Sequence, residues 1–237
     1  MKFNKNTKWD CTIIGAGIIG LTTAYKYQKL FPNQKVLLIE KERQIFMHQS
    51  GRNSGVIHSG IYYEPDSYKA KNCIKGYDEL LSFAKKNKVP FKITGKLIIA
   101  SQESDISILE KLFKNGVKNG LDGIKILDKN EALKIEPYCK NIIKALYVPQ
   151  SGIINYKIIG NKLLEKFKVL GGTVNLSTQL FKFTKIKNFV NIQTNQGEIK
   201  SKKIIICSGI SVDNFLSTSL KEKYRIFPFK GEYYYLR

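Results

Sequence analysis

With 237 residues, 40 of them Lys or Arg against 19 Asp or Glu, the chain carries a formal net charge of +21 and is 43% hydrophobic. That length allows one large domain or two modest ones, and 18 glycines with 6 prolines exclude collagen-like or disordered composition. No apolar run reaches the roughly 18 residues needed to span a bilayer, and arginine occurs only at Arg43, Arg52, Arg225 and Arg237, so the charge is scattered lysine and argues against nucleic acid as a partner. Cys11, Cys73, Cys139 and Cys207 are far apart and form no C-x-x-C pair, so no metal site and no disulfide framework is expected. The N-terminus runs into a strand-like segment without a signal-peptide apolar region, and a reducing cytoplasm fits.

Trp9 to Ile14 is a short apolar run, followed by Gly15-Ala16-Gly17-Ile18-Ile19-Gly20. A helix is expected over Leu21 to Phe31, closed by Pro32-Asn33, and then a strand over Lys35 to Ile39 that ends in Glu40. Ser67 to Lys88 reads as an amphipathic helix, Phe91 to Ala100 as a strand interrupted by Gly95, and Glu103 to Asn119 as a helix stopped by Gly120. Lys125–Leu127 is extended and Asn130–Leu133 a helical turn. A helix over Tyr156 to Leu170 precedes strands near Thr173–Leu176, Leu180–Ile186, Phe189–Thr194 and Lys203–Cys207, and Tyr224 to Arg237 is aromatic and strand-like.

The first unit has the length of a βαβ element. In G-x-G-x-x-G, Gly15 permits a tight turn, Gly17 lets the backbone approach a pyrophosphate, and Gly20 lets the helix pack against the strand. The N–H groups and the dipole of the helix start attract phosphates. Glu40 stands 20 residues beyond Gly20, where a carboxylate accepts hydrogen bonds from both ribose hydroxyls and repels a 2′-phosphate. The glycine motif alone leaves FAD and NAD open. The stretch His48 to Tyr63 is rich in Gly, Ser and Asn, suited to lying along a phosphate or a flat polar ring, where an NAD domain would continue with a plain βα unit.

Taken together, CTIIGAGIIGL, LLIEKE, HQSGRNSGVIHSGIYYEPDSYKAKNC, GKLIIA, EPYC, IIICSG and FPFKGEYYYL resemble the FAD-dependent oxidoreductases of the D-amino acid oxidase superfamily, and within it the L-2-hydroxyglutarate dehydrogenase/oxidase group. The resemblance covers essentially the whole chain but only about the first half to three-fifths of such a protein. It implies an α/β fold in which a Rossmann-like FAD-binding domain is interleaved with a mixed-sheet α+β substrate domain, incomplete at the C-terminus. The implied division is FAD-binding for 1–90 and 147–215, and substrate-binding for 91–146 and 216–237.

The implied reaction is oxidation of L-2-hydroxyglutarate to 2-oxoglutarate by hydride transfer from C2 to flavin N5, with electrons passing to oxygen, a quinone or an electron-transfer protein. Peripheral contact with a membrane stays open, as do two alternatives: another superfamily oxidoreductase acting on an amino acid, amine or glycerol phosphate, or an FAD-binding remnant without turnover. Carried over by position, Gly15, Gly17, Ile18, Ile19 and Gly20 hold the pyrophosphate, Glu40 the ribose, and Lys41 with Glu42 lies at the adenine end. Ser50, Asn53, Ser54 and Gly55 run toward the flavin, and Ser208 with Gly209 forms a second cofactor-contacting turn.

Only His48 and His58 are present. His58 is the first candidate for the base that takes the substrate hydroxyl proton, since an ordinary imidazole near ~6.5 is neutral and basic at neutral pH; the alternative is a hydrogen bond to the flavin or to a backbone carbonyl. A dicarboxylate needs cations. Arg52, Lys230 and Lys96 are the candidates, with Tyr62, Tyr63, Tyr233 and Tyr234 as wall residues. In the group the chain resembles, arginine is common where Lys230 stands and Asp is usual where Asn155 stands.

Overall fold

The computed structural model describes residues 7–232, and within them the elements run in an α/β order. They are β1 (Lys8–Ile14), α1 (Ile18–Leu30), β2 (Val36–Ile39), β3 (Val56–Ile57), α2 (Tyr68–Lys86), β4 (Phe91–Ile93), β5 (Lys96–Ala100), α3 (Glu103–Lys118) and β6 (Lys125–Asp128). Then follow α4 (Lys129–Ile135), β7 (Lys144–Val148), β8 (Gly152–Ile154), α5 (Tyr156–Val169), β9 (Thr173–Asn175), β10 (Leu180–Ile186), β11 (Phe189–Thr194), β12 (Gly197–Ile206) and α6 (Thr218–Lys223). Short 3-10 turns occupy Gln49–Gly51 and Gly209–Phe215. The chain divides into two units, one of residues up to Arg52 together with those from Tyr156 on, the other Asn53–Asn155.

The first unit is built on a mixed six-stranded sheet in the order β10-β11-β12-β1-β2-β9. β12, β1, β2 and β9 run parallel, while β10, β11 and β12 pair antiparallel. All four residues of β2, Val36 to Ile39, are fully buried, as a strand covered on both faces requires. Each such side chain contributes roughly 1.5–3 kcal/mol by leaving water. α1 turns Leu21, Ala24 and Gln28 inward, and α5 turns Ile159, Leu163 and Phe167, the three-to-four spacing of a one-sided helix. One core joins Ile14, Leu37, Ile39, Leu180, Ile192 and Ile199.

The second unit carries two antiparallel three-stranded sheets, β3-β8-β4 and β5-β7-β6. Its core joins Ile61, Ala100, Leu109, Ile124, Leu146 and Val148 under α3. α2 starts at Ser67, whose hydroxyl accepts from Ala70 N at 3.1 Å, and α4 starts at the Asp128–Glu131 capping box.

Three sequence expectations change. The strand over Phe91 to Ala100 is two strands in two sheets, because Gly95 takes φ +72, a left-handed turn that side chains rarely adopt. Thr94 and Gly95 both donate their amides to the Ser151 carbonyl, at 3.1 and 2.9 Å, so the β4–β5 and β7–β8 switches are tied together. The strand near Lys203–Cys207 is the end of a ten-residue strand, antiparallel to β11 at its start and parallel to β1 at its end. Tyr224 to Glu232 form no strand, and Tyr233 to Arg237 lie outside the described residues.

The compact units also divide at 52/53 and 155/156, where the resemblance implied 90/91 and 146/147, and residues 216–232 group with the first unit. The reason is contact: β3, β4 and β8 share one sheet, so residues 53–90 and 147–155 stay with 91–146. Which unit holds cofactor and which holds substrate is a functional reading, taken up below.

Candidate functional site

β1 ends at Ile14 and delivers the glycine turn to the edge where β12 and β2 also end. Gly15 N donates to Ile39 O at 2.8 Å and Cys207 N to Ile14 O at 2.8 Å, so three strand ends are laced to one turn. Gly15 takes φ +100, and a Cβ there would stand 2.5 Å from the Cys207 carbonyl oxygen. A Cβ on Gly20 would fall on the Gly15 carbonyl itself. Both glycines are therefore required by backbone-to-backbone packing. A Cβ on Gly17 would stand 3.0 Å from Ser50 Oγ, which keeps the mouth of α1 narrow on that side.

Glu40 is buried, 8% exposed. Its Oε2 accepts from Ala16 N at 2.6 Å and its Oε1 from Glu42 N at 3.0 Å. Each carboxylate oxygen has two acceptor positions, so one remains on each for a further donor. Ile18 N donates to Ser50 Oγ at 2.9 Å. Gly17, the N-cap, has no side chain to offer, so the remaining first-turn amides have no acceptor within the helix by geometry alone. Ser208 adjoins Gly15, its Cα 3.4 Å from the position a Gly15 Cβ would take, and its buried hydroxyl has no hydrogen-bond partner among the described residues. Gly209 lies beside Gln49, 3.7 Å from Oε1 to its notional Cβ.

Gly15, Gly17, Ile18, Gly20, Glu40, Ser50, Ser208 and Gly209 thus meet at one place in the first unit. Donor amides, a carboxylate with spare acceptor positions and a buried unpartnered hydroxyl are the groups a dinucleotide diphosphate and its ribose require, and the residues present fit FAD.

The other expected cofactor residues are more dispersed. Ile19 is 66% exposed on the outer side of α1. Lys41 is exposed and pairs with Glu42 at 3.8 Å, and Glu42 also meets His48 Nε2 at 3.0 Å. Asn53, Ser54 and Gly55 belong to the second unit, where Asn53 Oδ1 accepts from Gly55 N at 2.9 Å and Gly55 O accepts from Ile154 N at 2.8 Å. That turn leads the chain into β3. A cavity of about 370 Å³ lies elsewhere in the first unit, between the Gln44–Met47 segment and α5, and none of the expected site residues lines it.

In the second unit His58 follows β3 directly and is exposed. Partial desolvation, and then the positive charge of Lys96, hold its imidazole below the ordinary histidine value, so it is neutral at neutral pH and able to accept a proton. The His58 carbonyl accepts from Cys73 Sγ at 3.5 Å. Tyr62 is half exposed, and Lys96 Nζ donates to its Oη at 3.0 Å while lying 4.2 Å from the ring centroid. Lys96 is therefore joined to Tyr62 by contact and acts on His58 through its charge.

Of the other substrate candidates, Arg52 is exposed at the end of the 3-10 turn. Lys230 stands on the irregular segment, 84% exposed and paired with Glu232 at 3.1 Å. Tyr233 and Tyr234 lie outside the described residues. Burial pushes the Cys11 thiol up to about 11 and raises those of Cys73 and Cys207, which keeps all three protonated. Ala16 and Gln49 were not among the expected site residues. Ala16 sits inside the glycine motif and was legible there as a loop amide; nothing in the sequence singles out Gln49.

Residues 10–237 match the family described as FAD dependent oxidoreductase. The chain is 42% identical over 227 residues to an L-2-hydroxyglutarate dehydrogenase of Indibacter alkaliphilus, covering 95% of this chain and 57% of that protein. It is 32% identical to the human mitochondrial L-2-hydroxyglutarate dehydrogenase, covering 98% of this chain and 52% of that protein. The fold is similar to that of an FAD-bound L-α-glycerophosphate oxidase from Mycoplasma pneumoniae, with a TM-score of 0.80, 30% identity, and coverage of 88% of this chain and 56% of that one. A glycine oxidase from Geobacillus kaustophilus shares the fold at a TM-score of 0.78 and 18% identity, over 86% of this chain and 56% of that one. The chain spans about half the length of the relatives it matches.

Proposed function

Because the chain belongs to the family of FAD-dependent oxidoreductases, we propose that it serves the oxidation of L-2-hydroxyglutarate to 2-oxoglutarate. The observation that carries this reading is the 42% identity to a dehydrogenase of that name, running through 95% of the chain and so through both units. We assign FAD binding to the first unit and the substrate-side groups to the second.

In this reading the amides of Gly17, Ile19 and Gly20 and the start of α1 hold the diphosphate, and Ser208 and Gly209 donate from the neighbouring turn. Glu40 uses its spare acceptor positions for ribose hydroxyls while its other lone pairs fix the Ala16 and Glu42 amides. Lys41 with Glu42 serves the adenine end, and Asn53, Ser54 and Gly55 the ring end. When bound, FAD would supply a two-electron acceptor for the hydride that leaves C2. His58 accepts the hydroxyl proton as the C2–H bond breaks and the C2–O bond becomes a carbonyl. Its depressed pKa keeps the accepting form populated at neutral pH. Tyr62 and Lys96 are its neighbours on the substrate side; Arg52 and Lys230 are the further cations of the reading.

Oxygen, a quinone and an electron-transfer protein are the acceptor classes. A quinone would bring the protein to a membrane surface as a peripheral visitor, since no helix among the described residues is long and apolar enough to cross one. The four free cysteines support a reducing compartment, with the cytoplasm as our reading.

A second reading is favoured by the 30% identity to the glycerophosphate oxidase, since glycerol phosphate is also a secondary alcohol with an anionic end. A substrate panel with dye reduction separates the two. L-2-hydroxyglutarate is expected to reduce the dye, with glycerol phosphate, amino acids and D-2-hydroxyglutarate inactive; reduction by glycerol phosphate alone would replace the first reading with the second.

A further inference from the structure

Lys96 is the first residue of β5, fixed by the Gly95 turn, whose notional Cβ would stand 2.7 Å from the Tyr147 ring. Unpaired lysines are unremarkable in a chain with 40 basic and 19 acidic residues. What distinguishes Lys96 is that its ammonium lies over the Tyr62 ring and donates to that ring's hydroxyl, while Lys41, Lys162, Lys202 and Lys230 pair with carboxylates. Among the described residues no carboxylate meets Lys96. One of its three N–H donors is used by Tyr62 Oη, and two remain.

Two buried hydroxyls belong to the segments next to His58 and next to the turn before Lys96. Ser59, next to His58, is 4% exposed and Ser151, whose carbonyl holds the turn before Lys96, is 3% exposed. Both hydroxyls lack a hydrogen-bond partner among the described residues, an arrangement that calls for an explanation in a folded protein. The half-exposed Tyr62 ring adds an apolar ledge that ends in a positive charge. A methylene chain ending in a carboxylate has the complementary order.

Resting on the oxidation reading above, we propose that Lys96 recognises the carboxylate of the substrate farthest from the reacting carbon, with Tyr62 as the positioning residue that holds the ammonium and supports the methylenes. His58 then serves the hydroxyl end and Lys96 the far end, and the pair selects dicarboxylic over monocarboxylic 2-hydroxy acids.

The test is calorimetric titration of the FAD-loaded protein with glutarate and with valerate, which differ only in the far carboxylate. Wild type is expected to bind glutarate more tightly. Lys96→Met is expected to weaken glutarate about 10- to 100-fold, the range of a lost charge-assisted hydrogen bond, and to leave valerate within about twofold. Lys96→Arg should recover most of the glutarate affinity, and Tyr62→Phe should weaken glutarate alone by a smaller factor. Equal losses for both acids, no loss for either, or no wild-type preference would overturn the assignment. If Lys96→Met does not fold, the Lys96→Arg and Tyr62→Phe titrations decide by the same contrast. Failure of the oxidation reading looks different: a Lys96-dependent preference for glutarate together with a flavin that L-2-hydroxyglutarate does not bleach.

Discussion

The two units hold their polar groups by different means. In the first, backbone fixes backbone: Gly15 lies against the Cys207 carbonyl, Gly20 against the Gly15 carbonyl, and the Glu40 carboxylate ties two amides. In the second, side chains on separate strands and loops meet: Lys96 on β5 reaches Tyr62 in the loop after β3, and its charge acts on His58. A site of the first kind tolerates almost no substitution, because any Cβ meets backbone that cannot step aside. A site of the second kind can lose a side chain and keep its fold. Damage to the glycine turn should therefore remove cofactor and stability together, while damage to His58 or Lys96 should change chemistry alone.

His58→Gln draws that line most sharply. It should retain FAD and its melting temperature yet slow anaerobic flavin reduction by about 10²- to 10⁴-fold, the range for a positioned general base; unchanged stopped-flow rates would remove His58 from the mechanism. Gly20→Ala is the opposite case. Its new methyl falls on the Gly15 carbonyl, so a loss of about 3 kcal/mol in stability is expected, at the upper end for overpacking, together with loss of bound flavin by absorbance.

Glu40→Ala comes next. It leaves the Ala16 and Glu42 amides without their acceptor, at about 1–3 kcal/mol, and weakens FAD retention; Glu40→Gln keeps a carbonyl acceptor and should lose less in both chemical denaturation and flavin content. The smallest effect is a pH shift. Flavin reduction should fall as pH drops through the depressed His58 pKa, because the protonated ring cannot accept. Lys96→Met removes one of the two causes of that depression, so its acid limb, read at saturating substrate, should move to higher pH. An unmoved limb would separate Lys96 from His58.

The difference between the units also governs what the sequence could tell. The β1–α1–β2 element was legible because its signals are local: a continuous apolar strand, glycine spacing, a closing Pro32 and an acid at Glu40. The fold class and the meeting of Gly15, Gly20, Glu40 and Ser208 followed from that pattern and from the resemblance. The sheet switch at Gly95 was visible only as an interruption, because which sheet each half joins depends on β7 and β8, strands of five and three residues without local signal. Lys96 and Tyr62 are 34 residues apart, and no spacing rule links them; the pairing comes from the two sheets. The division at Arg52 and Asn53 cuts through a loop that reads as one continuous Gly- and Ser-rich segment, so composition could not reveal it.

The most direct measurement is an anaerobic titration of the FAD-loaded protein with L-2-hydroxyglutarate, following the oxidised flavin band while assaying 2-oxoglutarate. The band should bleach to completion at equal amounts of substrate and flavin, with matching 2-oxoglutarate and no response to the D enantiomer. A protein that carries FAD but keeps its band unchanged in excess L-2-hydroxyglutarate would contradict the account.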